Sequence, residues 1–99
     1  MDNQKLTILA RIRAAKGKED ELYRELAALV PLTRAEEGCI SYHLHRSQGD
    51  PALFFFYENW RSKLDLDHHF ATHYLQAFLK KADVLLSEPA DISEWEQIA

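Results

Sequence analysis

Cysteine, glycine and proline are all scarce in this chain, at one, three and three of 99 residues. A single Cys39 permits no disulfide within the chain, so the fold must rest on packing alone. The glycines stand apart at 17, 38 and 49, which leaves no glycine-rich loop to cradle a phosphate, a dinucleotide or a flavin. No apolar run approaches the ~20 residues that cross a bilayer. The polar Met1-Asp2-Asn3-Gln4 has neither the basic region nor the apolar stretch of a secretion signal, so a cytoplasmic location away from any membrane is expected. Basic surplus is missing too: the formal charge is −4, and Glu19, Asp20 and Glu21 interrupt the scattered lysines and arginines. Nucleic acid is therefore not an expected partner. His43 and His45 share one strand face, and His69 and His73 lie four apart. Neither pair has a convincing third ligand, so no metal is expected.

What is present is a core. With 46% hydrophobic and 28% charged residues, the chain reads as one globular domain over residues 1–99. A domain of this size buries roughly two-thirds of its unfolded surface. Lys5 to Ala14 alternates as a strand. After the turn at Lys16-Gly17-Lys18, Leu22, Leu26, Leu29, Val30 and Thr33 recur at helical spacing, behind an acidic first turn. Pro31 inside that pattern predicts a kink, and Gly38 a helix stop. Cys39 to Ser47 alternates again, and the turn Gln48-Gly49-Asp50-Pro51 predicts a hairpin with the strand after it. Ser62 and Thr72 are placed to cap two helices, the second over residues 73–86. Ile92 to Ile98 alternates as a last strand. The order βαββαβ implies an α+β, ferredoxin-like sandwich: a four-stranded antiparallel sheet with helices on one face.

The aromatic strand Phe54-Phe55-Phe56-Tyr57-Glu58-Asn59-Trp60 carries rings on both faces. Phe54, Phe56, Glu58 and Trp60 share one side, and Phe55, Tyr57 and Asn59 the other. An antiparallel sheet wet on one side should alternate apolar with polar, and this strand does not. Its second face, with Leu9 and Trp95, would leave a large apolar patch in water, so a homodimer packed sheet to sheet is expected.

Several stretches together resemble the antibiotic biosynthesis monooxygenase family of small dimeric α+β barrel proteins, in particular its quinol monooxygenase branch. They are Ala35-Glu36-Glu37-Gly38-Cys39-Ile40-Ser41-Tyr42, the Tyr57-Glu58-Asn59-Trp60 core of the aromatic strand, Ser62 to Phe70, and Thr72 with Gln76-Ala77-Phe78-Leu79. The resemblance runs from about Leu6 to Ile98 and implies a dimeric α+β barrel. It covers cofactor-free oxygenases of quinols and polyphenols, heme-degrading enzymes and an isomerase-type enzyme acting on a phosphorylated sugar. The family often has Thr-Pro-His-Phe where this chain reads Thr72-His73-Tyr74-Leu75, so Tyr74 stands in place of a second histidine. The heme-degrading branch uses an asparagine in its first strand, and none occurs between Leu6 and Ala14.

The inner face of the aromatic strand, Tyr42, and His69 on the stripe with Leu66 and Phe70 should line an apolar cleft with few polar groups, suited to a flat aromatic ligand. Oxygenation of an electron-rich phenol by O2 needs only a base, oriented donors and exclusion of water. The expected roles are His69 as base, Glu58 as its orienter or proton acceptor, Trp60 and Phe56 as a ring clamp, and Tyr42 and Tyr74 as hydrogen-bonding phenols. Proton shuttling by the same His and Glu in an isomerase, or a non-enzymatic dimeric binding protein, are the alternatives. A roomy aromatic pocket would favour the oxygenase; a filled one, the binding protein.

Overall fold

In the computed structural model, which describes residues 5–99, the alternating and helical stretches become eight elements. They are β1 (Leu6–Arg13), α1 (Glu19–Arg34), β2 (Cys39–Arg46), β3 (Leu53–Trp60), α2 (Lys63–Ala71), α3 (His73–Lys80), α4 (Ala82–Leu85) and β4 (Asp91–Trp95). The Met1–Gln4 segment, on which the signal-peptide argument rested, lies outside the described residues. Among the described residues, no helix is long and apolar enough to cross a membrane.

The strands form one antiparallel sheet in the order β2-β3-β1-β4. The aromatic strand is thus central, with Glu58 opposite both Ile8 and Tyr42, and Phe56 opposite both Ala10 and Leu44. The barrel expected from the family resemblance is not formed. β2 and β4 are opposite, free edges of an open sheet, and four strands are too few to curl round and pair them. What stands is the four-stranded sandwich with its helices on one face.

That face holds the core. Ile8, Ala10 and Ile12 of β1, Tyr42 of β2, and Phe54, Phe56 and Trp60 of β3 meet Leu22, Leu26 and Leu29 of α1, Leu66 of α2, and Leu75 and Phe78 of α3. Each large apolar side chain buried there contributes about 1.5–3 kcal/mol over leaving it in water. The helix starts are fixed as their sequences suggest. Ser62 Oγ accepts from the Asp65 N–H at 3.3 Å and Thr72 Oγ1 from the Leu75 N–H at 3.4 Å.

Three local readings change. α1 runs through Pro31 to Arg34 and ends there, without Gly38 as a left-handed cap, since among the described residues only Gly17 has positive φ. Gly38 is needed for closeness instead: a Cβ there would lie 2.1 Å from Asp65 Cγ. The helix expected over 73–86 breaks at Lys81. The break lets Leu85 drop into the core, where its carbonyl accepts the Ala15 N–H at 2.8 Å. β4 stops at Trp95, because β1 offers it partners only from Arg11 to Thr7.

The other sheet face carries no helix. Leu9, Phe55, Tyr57 and Trp95 lie on it, and Trp95 is 55% exposed. Asn59 is polar but satisfied there: its Oδ1 accepts from Thr7 Oγ1 at 2.7 Å, and its Nδ2 donates to Ser41 Oγ at 3.0 Å.

Candidate active site

Two residues apart on one strand, Glu58 and Trp60 project from the same side of β3 into the layer under the helices. Burial there requires each polar atom to find a partner, and they find one another: Trp60 Nε1 donates to Glu58 Oε1 at 2.9 Å. No group among the described residues donates to the other Glu58 oxygen. Glu58 is only 5% exposed, and burial pushes its carboxyl up from an ordinary 4.5 to about 7. The Trp60 hydrogen bond opposes that rise, and the charge of Glu36 adds to it.

His69 reaches the same layer from α2. Its ring centroid lies 4.7 Å from that of Trp60 and 5.6 Å, edge-on, from that of Tyr42. Tyr42 in turn stacks on Phe56 at 4.4 Å. Tyr42, Phe56, Glu58 and His69 line one cavity of about 50 Å³, with aliphatic and aromatic side chains of β1, α1, α2, α3 and β4 and Ala90 as its other walls. Burial, and then the charge of Glu58, push the Tyr42 phenol far above its usual range, so it stays protonated. Thr33 sits near enough to favour its ionisation slightly. No hydrogen bond of standard geometry joins them, and Thr33 Oγ1 is buried without a partner.

Of the six residues expected in the site, four therefore border the cavity. Trp60, fully buried, stands behind Glu58 and does not line it. Tyr74 is elsewhere: its hydroxyl donates to Glu36 Oε2 and lies 3.3 Å from the Leu32 carbonyl. His69 does not pair with Glu58. Its Nδ1 lies 2.9 Å from the same Oε2 of Glu36. Glu36 carries no role in the sequence expectations, where it stands only within the Ala35–Tyr42 stretch of the family resemblance. A signal was there, since the C-terminal end of a helix repels negative charge, and an acid retained just past Arg34 needs a reason. Cys39, half-buried, has its thiol raised to about 11 by burial first and by Glu36 second, which suits packing and not nucleophilic attack.

The family profile described as "Antibiotic biosynthesis monooxygenase" matches residues 5–81, most of the chain, including Tyr42, Phe56, Glu58 and His69. The chain belongs to that family. Among curated relatives, sll1783 of Synechocystis is 32% identical over 87 residues, covering 88% of this chain and 59% of its own, so this chain spans well under two-thirds of that relative. YcnE of Bacillus subtilis, which bears a provisional monooxygenase name, is 32% identical over 91 residues, covering 92% of this chain and 96% of its own. Among solved structures, PA3566 from Pseudomonas aeruginosa superposes with a TM-score of 0.93 at 38% identity, covering 97% of this chain and 96% of that one. Family membership supports an oxidoreductase of the monooxygenase type and leaves the substrate open.

Proposed function

We propose that the chain is a cofactor-independent monooxygenase that oxidises a small quinol or other polyphenol with O2 in the cavity under β3. The observation that carries this reading is Glu58: a buried carboxyl poised near 7, with one oxygen unpartnered, in an aromatic-walled space beside an imidazole. A group that titrates near neutrality can both take and return a proton. In the proposed reaction His69 removes a phenolic proton, and the phenolate gives an electron to O2. The ring carbon and the reduced oxygen then combine. One oxygen atom stays on the ring and the other leaves as water, so that hydroquinone plus O2 gives hydroxyquinone plus water. Glu58 supplies the proton that the departing oxygen needs. Phe56 and Tyr42 flank the ring, Trp60 holds Glu58 in place, and Tyr74 serves the site through Glu36.

An aromatic ring needs a cavity of roughly 150 Å³, several times the volume present. Substrate entry therefore requires a wall to move. The half-exposed walls are Leu79 of α3 and Ile92 of β4, at 43% and 45% exposure, and they are the walls freest to move. The same small volume favours a second reading, a non-catalytic small-molecule-binding protein. No lysine or arginine lines the cavity, so a phosphorylated substrate has nothing to hold it there. A second copy is proposed to cover the open sheet face, supported by the exposed Tyr57 and Trp95 upon it.

Oxygen uptake with a panel of quinols tests the reading. The wild type should consume O2 without added flavin or metal, and His69→Ala should lose at least tenfold in kcat. No O2 uptake by the wild type with any quinol would transfer the case to the binding protein, and full activity in both His69→Ala and Glu58→Gln would refute the roles given to those residues.

A further inference from the structure

Three elements converge on one oxygen outside the cavity. Glu36 Oε2, in the loop after α1, takes His69 Nδ1 of α2 at 2.9 Å and the hydroxyl of Tyr74 of α3. The pairing is enclosed, since the His69 side chain is 3% exposed and that of Glu36 15%. We infer that Glu36 is the positioning residue of the site, fixing His69 as the Nδ1–H tautomer with Nε2 left as the proton acceptor facing the cavity.

Donors and acceptors fix the tautomer. An ionised carboxylate only accepts, so an imidazole nitrogen 2.9 Å from it must carry hydrogen. Tyr74 also donates to that oxygen, which confirms its role as an acceptor. With Nδ1 committed to Glu36, Nε2 is the nitrogen left to serve the cavity that His69 lines. A free imidazole has no such constraint and exchanges its proton between nitrogens. When Nε2 takes a proton, the nearby carboxylate also faces the new imidazolium, so one group both sets the tautomer and stabilises the charge that forms. This is the logic by which an acid orients a general-base histidine in hydrolases. Here Glu36 acts on His69 from behind, and Glu58 stays free for the other proton transfer. Tyr74 reinforces the arrangement by limiting the rotamers of Glu36.

The catalytic part of the inference rests on the oxygenase reading, and the tautomer part does not. The test therefore reads both. Glu36→Ala removes the acceptor that His69 Nδ1 and Tyr74 share, so nothing fixes the ring proton and it moves to Nε2, as in a free imidazole. Nitrogen-15 NMR of neutral His69 should show hydrogen on Nδ1 in the wild type and mainly on Nε2 in Glu36→Ala. Quinol oxidation should fall about 100-fold or more in kcat with little change in KM, by analogy with the orienting acid of hydrolases. Glu36→Gln, whose amide oxygen can take the place of Oε2 and accept from both partners, should retain the wild-type tautomer and recover part of the rate. Should Glu36→Ala fail to fold, Glu36→Gln and the wild-type spectrum still decide the tautomer. Hydrogen on Nε2 in the wild type, or an unchanged tautomer in a folded Glu36→Ala, overturns the inference. A tautomer switch without any wild-type quinol oxidation leaves the positioning intact and refutes the oxygenase reading alone.

Discussion

Glu58 should make this protein lose stability as pH rises through neutrality, and Glu58→Gln should abolish that loss. Folding moves the carboxyl from an ordinary 4.5 up to about 7, chiefly because burial disfavours its charge. A carboxyl whose pKa is raised on folding binds its proton more tightly in the native state. Its contribution is intact below about pH 4.5 and is lost progressively as pH climbs to about 7, after which it is flat. At ~1.36 kcal/mol per pH unit, the interval between the two values amounts to about 3 kcal/mol. Urea unfolding followed by Trp fluorescence reads this directly. With an m-value of about 1–3 kcal/mol per molar, the midpoint should fall by roughly 1–3 M between pH 4.5 and pH 8. Glu58→Gln keeps an oxygen for Trp60 Nε1 and carries no titrating proton. It should match the wild type near pH 4.5 and exceed it by about 3 kcal/mol at pH 8. Other groups that titrate in this range cancel in the comparison of the two proteins. Parallel stability curves for wild type and Glu58→Gln would refute the burial argument, and with it the claim that a proton sits on this carboxyl near neutrality. Trp60→Phe gives a directional check, because losing the N–H donor should push the midpoint of the wild-type transition higher still.

Gly38→Ala should cost about 1–3 kcal/mol in urea unfolding. Its Cβ would meet Asp65, and Asp65 cannot swing away because Arg61 grips both its oxygens at 2.9 Å; an unchanged midpoint would mean the α1–β2 loop can retreat. Thr33→Val should be neutral or stabilising by up to ~1 kcal/mol, since it removes a buried hydroxyl that has no partner, and a clear loss would reveal a hidden one. Tyr57→Glu should weaken self-association by placing a charge on the exposed apolar sheet face, and light scattering that shows the wild type already stable at 11.5 kDa would remove the dimer.

Alternation and helical spacing are local properties, and they made most of the fold legible. The aromatic strand lies inside the sheet, flanked by β2 and β1, with one ring-bearing face under the helices and the other on the helix-free side. The expected barrel came from the family resemblance, not from the strand pattern, and four strands with two free edges do not close. The break at Lys81 was invisible because Leu85 and Phe78 differ by seven positions, which continuous helical spacing also puts on one face. Only the pull of Ala15 and Arg13, at the far end of the chain, on residues 85–87 distinguishes the two.

The site divides along the same line. Glu58 with Trp60 is a strand pair two residues apart, and its shared face follows from the pleat. His69 with Glu36 spans 33 positions, and proximity over that distance depends on how α2 meets the loop after α1. No local pattern encodes that meeting. What local chemistry does encode is a conflict: a carboxylate just beyond the negative end of α1 is disfavoured unless something compensates it. Tyr74 and His69 are that compensation. The substitution of tyrosine for a second family histidine then acquires a physical meaning. Tyr74 donates its hydroxyl hydrogen to Glu36, so one phenol and one imidazole hold the carboxylate between them. An acid that looks misplaced by its own helix is thus a better guide to this site than the histidine it holds.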